Sequence, residues 1–294
     1  MVLRDNLLEK RGLGFIHPAC AFIYLVLALI LTMCTMNPML IMMSLMAGIS
    51  YEIHIMGLSR FRRYIPWLVL IFIITTLGNM VISHNGAHVL FRLNDNRVTL
   101  EAGLYGAVFG LMFAAAFLWC DITQRIIAGE KITYMFGSIA PNMGLIISMT
   151  LHYIPMLRKR LEVVHAAQVS MGRGDYKNRW DRAKQWGKEF SIVISWSLEN
   201  SIDTSGVMST MGYGTGKRTN YSNYRFKSAD GLFLFIALAL AIPAFIVVLS
   251  VRFKVYYYPT FGAMCSWKQM AVASVGYLIY MFIPFVAEKF FKWH

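Results

Sequence analysis

The hydrophobic pattern of the chain falls into long apolar runs separated by short polar breaks. Runs close to the roughly 20 residues needed to cross a ~30 Å hydrocarbon core recur at Ala19–Met36, Met39–Gly57, Ile65–Ser83, Ala102–Cys120, Leu232–Val251 and Met270–Val286. Each predicts a helix, because a backbone in lipid must satisfy its own hydrogen bonds. Pro38 separates the first two runs and predicts a tight helical hairpin. The expected fold is an all-α integral membrane protein with about six transmembrane helices.

Between residues 121 and 230 the pattern changes. A structureless connection of that length is uncommon, since most run well under 15 residues. Three segments follow: 1–120 and 229–294 as membrane helices, and 121–228 as a membrane-associated helix plus amphipathic helices. The stretch Ile132–Thr150 is apolar but broken by Pro141, with Gly137 and Gly144 permitting close helix approach or a bend. A seventh crossing here would put the following basic region on the wrong side, so a shallow, re-entrant or protein-buried helix is expected.

After Pro155 the pattern becomes amphipathic. Leu157, Leu161, Val164 and Met171 recur at helical spacing, with Gln168 as a polar exception and Arg158, Lys159, Arg160 and Glu162 on other faces. A second helix runs through the stretch from Lys188, with Phe190, Ile194, Leu198 and Ile202 in i, i+4 steps. Glycines stop both, as they do at helix C-termini. The two ends repeat one pattern: Ser170-Met171-Gly172-Arg173-Gly174 and Thr210-Met211-Gly212-Tyr213-Gly214. One reading makes both ordinary glycine caps. The other makes them slim tips, side by side, whose flexible Met side chains enter a partner's groove.

Composition agrees with the membrane reading. Of 294 residues, 57% are hydrophobic and 15% charged, against about a quarter charged in soluble domains. Mean hydropathy is +0.52. The net charge of +13 would raise the question of nucleic acid, but its distribution matters more. Arg4, Lys10 and Arg11, then Arg60, Arg62 and Arg63, then Arg125 to Lys227, and finally Lys289 and Lys292 alternate with the runs. The positive-inside rule makes those regions and both termini cytoplasmic. Arg92, Arg97, Arg252, Lys254 and Lys268 go against the bias. The opening "MVLRDNLLEKRGLG" has mixed charges and no small-residue cleavage site, so it is not expected to be a removable signal peptide.

Candidate chemistry is sparse. Cys20, Cys34, Cys120 and Cys265 form no Cys-x-x-Cys and read as small hydrophobes. His84 and His88 have an i, i+4 spacing that could hold a metal, but Gly86 between them favours a surface pair. His17, His54, His152, His165 and His294 form no cluster. Glu199 and Asp203 sit one turn apart, without an evident nucleophile, and are expected to pair with Lys or Arg on a neighbouring helix. The stretch "GYGTGKRT" fails as a phosphate-binding loop at Met211 and Arg218. Asn220-Tyr221-Ser222 matches a glycosylation acceptor that a cytoplasmic location would silence, and Tyr256, Tyr257, Tyr258 and Trp267 read as interfacial anchors. No catalytic or metal-binding residues are assigned.

Two runs carry a family resemblance. "SLENSIDTSGVMSTMGYGTGKRT", Ser197 to Thr219, resembles the Leu-Glu-Asn … Arg-Gly-Tyr-Gly … Arg-Thr signature of the transmembrane (T) components of energy-coupling factor transporters. "LIISMTLHYIPMLRKRLEVVHAAQVSMGRGD", Leu145 to Asp175, resembles that family's Ser-Met-Thr-Leu-Arg-Phe-Val-Pro and Ala-Gln-x-x-x-Gly-Arg segments, and "HPACAF" and "RRYIPWLVLIFIITTLGN" fit as well.

The resemblance implies a non-catalytic scaffold subunit of a bacterial importer in the cell membrane. Such a subunit holds a small membrane-embedded substrate-binding (S) component and two cytoplasmic ABC-type ATPases. It binds no cofactor; ATP and magnesium belong to the ATPases. Long cytoplasmic coupling helices would transmit ATPase closure to the S component and its vitamin or metal ion. Their tips, Ser170, Met171, Gly172 and Arg173 with Thr210, Met211, Gly212, Tyr213, Gly214 and Arg218, would meet the ATPases. Pro155, Glu199 and Asp203 would belong to the coupling-helix framework. The chain departs from the family pattern at Met211 and His152, where arginine is usual. Two other classes stay open: a secondary transporter, and a membrane enzyme acting alone. The first lacks a visible inverted repeat. The second would need ionisable residues within the spans, where the sequence offers Glu52, His54 and little else.

Overall fold

The computed structural model describes residues 12–83, 88–93, 96–127, 129–174, 178–213, 216, 224, 226–250, 255–257, 262–263 and 267–291. These are helical nearly throughout. After a 3₁₀ turn at Gly12–Phe15 come α1 (Pro18–Met33), α2 (Pro38–Met56), the short α3 (Leu58–Phe61) and α4 (Ile65–Ile82). A hairpin of β1 (Val89–Leu93) and β2 (Asn96–Thr99) leads to α5 (Leu100–Ile126). Then follow α6 (Gly129–Ile139), α7 (Pro141–Gln168) and α8 (Arg179–Thr210). The chain ends with α9 (Ser228–Leu249), a small hairpin of β3 (Val255–Tyr256) and β4 (Gly262–Ala263), and α10 (Trp267–Phe291).

Four described helices are long and apolar enough to cross a membrane: Pro38–Met56, Leu58–Ile82 taken through α3 and α4, Leu100–Ile126 and Ser228–Leu249. That is fewer than the six runs of the sequence. The first run loses its end because the chain unwinds before α2. Asn37 caps that helix by accepting from the Met39 N–H at 3.0 Å, and Thr35 Oγ1 accepts from the Asn37 N–H at 3.3 Å. Helix α1 therefore has 16 residues, about 24 Å at 1.5 Å per residue. Helix α10 has 25 residues. The expected tight hairpin is short in its turn, but α1 and α2 touch little along their length; each packs instead on α5.

The chain divides into two compact units, one of Met1–Ala128 with Tyr224–His294, the other of Gly129–Asn223. In the first, the outer segments of the sequence share a core of α1, α2, α5, α9 and α10. Tyr24, Tyr51, Trp119, Tyr277 and Tyr280 are fully buried there. Tyr24 and Tyr280 each donate to the other's carbonyl, at 3.0 and 3.2 Å, locking α1 to α10. Tyr257 donates to the Met36 carbonyl, and burial pushes its phenol above the ordinary range. Helix α4 lies against α5 at Gly106 and Gly110. A Cβ there would stand 2.9 Å from Asn79 Cβ and 2.6 Å from Thr75 Oγ1. This is the small-xxx-small packing that lets membrane helices approach closely.

In the second unit, α6 and α7 fold back on each other. Ala140 breaks the helix just before Pro141, and Gly137 meets Gly144 where the two helices touch. The break and close approach expected from Pro141, Gly137 and Gly144 are both present. Pro155, expected to begin the amphipathic helix, instead lies inside α7. The second amphipathic helix starts at Arg179, nine residues before Lys188.

Candidate functional site

Helices α7 and α8 run antiparallel, joined by a polar seam. Asn200 Nδ2 donates to Tyr153 Oη at 3.2 Å, and the Arg160 guanidinium lies 4.1 Å from the Trp196 ring centroid. Further along, His165 Nδ1 is 3.0 Å from Glu189 Oε2. Gln185 Nε2 donates to Gln168 Oε1 at 3.2 Å. Gln168, the polar exception of the sequence pattern, is among the most buried residues of its helix at 8% exposure. It also accepts from Arg173 Nη1 at 2.9 Å, fastening the first tip to the seam.

The polar seam sets the orientation of α8. Its packed positions are Gln185, Glu189 and Val193. The i, i+4 stripe of Phe190, Ile194, Leu198 and Ile202 points outward, with Leu198 63% and Ile202 74% exposed. Burying the polar side is tolerable because those groups satisfy one another. An apolar stripe left in the open is the less ordinary half of the arrangement.

The described residues of the two repeats, Ser170–Gly174 and Thr210–Tyr213, each turn at a glycine. Gly172 and Gly212 both adopt φ +78°, a left-handed conformation that glycine enters without a Cβ clash. At the second end the Gly212 N–H bonds the Ser209 carbonyl at 3.1 Å and the Tyr213 N–H bonds the Met208 carbonyl at 3.0 Å. These are the two bonds of a Schellman cap. At the first, α7 widens into a π-helical turn over Val169–Arg173. Both methionines project: Met171 is 61% and Met211 72% exposed. The second end is thus a glycine cap in its geometry, and Met211 is exposed on it.

The tips do not lie side by side. Antiparallel pairing puts Arg173 level with Gln185, by way of Gln168, and Thr210 at the far end of α8. The separation is roughly 37 Å along the helix axis at 1.5 Å per residue. A cleft of about 410 Å³ beside the second tip is lined by Tyr153, Ser201, Thr204, Ser205, Met208 and Tyr213 among others. Ser170 and Thr210 bond back to their own helices, at Ala166 and Val207. Gly214, Lys217, Arg218 and the Asn220-Tyr221-Ser222 sequon lie outside the described residues. Glu199 and Asp203 are exposed, and neither forms an ion pair among the described residues, so the partner expected on a neighbouring helix is absent there.

The membrane unit holds more ionisable groups than the runs suggested. Glu52, fully buried, stands 3.2 Å from Arg125 Nε, whose Nη2 is 2.8 Å from Asp121 Oδ2 and 2.7 Å from Tyr64 Oη. His54 lies 2.8 Å from Glu288. Asp230 caps α9, accepting from the Lys227 N–H at 2.9 Å and from the His17 N–H at 3.1 Å. The sequence reading placed Arg125 in the basic region after the apolar run, which ends at Cys120, whereas the helix continues to Ile126 and carries Asp121 and Arg125. Breaking one partner from such a buried pair typically costs about 3–5 kcal/mol.

Among the described residues no three His, Cys, Asp or Glu side chains gather as a metal site. His88 pairs with Glu101 at 2.8 Å, and His84 lies outside the described residues. Cys20 is buried, Cys34 and Cys120 are exposed, and Cys265 is outside the described residues. In comparisons with known proteins, no family model and no curated protein matches the chain.

Proposed function

We propose that this chain is a membrane scaffold that relays conformational change between partners, with the α7/α8 pair as the relay. More particularly, we propose that it is the T component of an energy-coupling factor importer, the family its Ser197–Thr219 and Leu145–Asp175 runs resemble. In that role it is a multi-pass protein of a bacterial cell membrane with both termini cytoplasmic. It is not an enzyme, and two ATPases carry the ATP and magnesium. A small membrane S component brings the vitamin or metal ion.

The observation that carries this reading is the outward apolar stripe of α8, Phe190 to Ile202, on a helix whose polar side is already satisfied. Such a helix is built to be covered by another protein. The matched glycine turns at Gly172 and Gly212 support it, because a slim tip with an exposed Met fits a groove. Rigid helices with two seated arrangements are the usual carriers of such motion. The secondary-transporter alternative draws less support: the buried Thr32–Ser44–Trp119 hydrogen bonds lie on unbroken helices rather than at helix interruptions.

Affinity purification of the tagged chain from detergent-solubilised native membranes, with partners identified by mass spectrometry, tests the proposal. Recovery of two ATPase subunits and a small membrane protein is expected. Recovery of the chain alone, under conditions that keep other membrane complexes intact, would reject it.

A further inference from the structure

The first turns of α8 carry a surface of their own chemistry. Trp180, Ala183 and Trp186 follow one another at i, i+3 steps along the outward face. Trp180 is 80% and Trp186 53% exposed. On the opposite side of the same turns, Gln185 and Glu189 are buried against Gln168 and His165 of α7.

Cations border the indoles on both edges. Arg179 and Arg182 lie one turn apart on one edge, and Lys184 and Lys188 one turn apart on the other. All four are exposed, and none is in an ion pair among the described residues. Asp181 is the one acidic residue between Arg179 and Lys188. From Phe190 to Thr210 the helix has no Lys or Arg. Within α8 the positive charge is therefore confined to the turns that bear these two exposed indoles.

An indole favours the headgroup level of a bilayer, and a long cationic side chain lays its stem on apolar surface while its charge stays among polar groups. A helix with an aromatic line between rows of Lys and Arg is built to lie in the plane of a membrane interface. An anionic leaflet meets both needs at once, with phosphates for four cations and an apolar boundary beneath them for two indoles. The chain has membrane-crossing helices of its own, so such a surface is at hand. We propose that the segment Arg179–Lys188 seats on anionic phospholipid, with Trp180 and Trp186 at the headgroup boundary and Arg179, Arg182, Lys184 and Lys188 on lipid phosphates. This seat is independent of the scaffold reading and leaves the stripe from Phe190 to Ile202 to a protein partner.

The test places a photoreactive residue at Ala183, between the two indoles, in the full chain reconstituted without partners into lipid vesicles. Vesicles of phosphatidylcholine are compared with vesicles of equal parts phosphatidylcholine and phosphatidylglycerol. One cation near an anionic surface strengthens binding about fivefold, so the lipid adduct at Ala183 should be at least about fivefold more abundant in the anionic vesicles. Reversing the exposed charges, by Arg182→Glu with Lys184→Glu and Lys188→Glu, should abolish that difference in a variant that stays monodisperse on gel filtration. The comparison between the two vesicle types needs no charge variant and stands by itself. Absence of a lipid adduct in anionic vesicles, equal adducts in the two vesicle types, or a difference that survives charge reversal in a folded variant overturns the proposal. In native membranes, capture of a peptide from another protein in place of lipid also overturns it and gives this face to a protein partner. Recovery of ATPases on purification tests the scaffold reading separately, so the two can fail apart.

Discussion

At the scale of single residues, two glycines do what no other residue does without strain. Gly212 sits at φ +78° as the turn that closes α8. A non-glycine residue in the left-handed region costs about 1–2 kcal/mol, and a β-branched one sits at the upper end or beyond. Gly212→Val should therefore loosen the cap. Amide hydrogen exchange over Thr210–Tyr213 is expected to speed up by about tenfold, since 1.4 kcal/mol is a factor of ten. Gly212→Asn, a residue that enters this region more readily, should change it much less. Equal exchange in the two variants would show that the turn is not held by backbone conformation. The repeat of Met and Gly was visible in the sequence because its glycines mark helix ends. The burial of Gln168 was not, because a polar residue on an apolar stripe looks like an error until Gln185 and Arg173 are brought to it.

Among elements, the contact of α4 with α5 depends on glycine for a different reason. Gly110 faces Thr75 Oγ1 and the Phe72 carbonyl, so an added Cβ would lie 2.6 and 3.1 Å away. Gly110→Leu must push the helices apart, and over-packing of this kind costs about 1–3 kcal/mol. Its melting temperature in detergent should drop by several degrees. Gly78→Leu, on α4 where an added Cβ meets nothing within 4 Å, should leave it near the wild-type value. A Gly110→Leu protein as stable as wild type would mean that α4 is not seated on α5 at this glycine. The apolar runs predicted helices at most of the right places, because lipid permits little else. Their ends were misjudged where polar residues still belong to the helix. Helix α5 continues past Cys120 through Asp121 and Arg125, which are satisfied by Tyr64 and each other. Helix α7 runs through Pro155 instead of starting after it.

For the molecule as a whole, the outward stripe on α8 makes a prediction that stability alone would not. Leu198 and Ile202 are 63% and 74% exposed, so replacing both by Lys should change the stability of the isolated chain by no more than about 0.5 kcal/mol per site. If the stripe seats the small membrane partner, Leu198→Lys with Ile202→Lys should cut recovery of that partner by about tenfold, the equivalent of roughly 1.4 kcal/mol. Partner recovery at wild-type levels from a folded variant would remove the stripe from the docking surface.

The sequence by itself determined the membrane class, the helical content, the position of the Pro141 break and the two glycine-stopped helices. These follow from local rules: apolar length, the missing proline N–H, and the freedom of glycine. Which side of a helix faces a neighbour is a different kind of question. Periodicity marks the apolar stripe of α8 but not its direction, and the usual rule would bury it. Only the tertiary structure set Phe190, Ile194, Leu198 and Ile202 outward, because Gln185 and Glu189 find hydrogen-bond partners on α7. It likewise drew the segments 1–128 and 224–294 into one unit and separated tips that look adjacent in their chemistry. Antiparallel pairing of two long helices puts their C-terminal ends at opposite poles, a fact of geometry that no single segment contains.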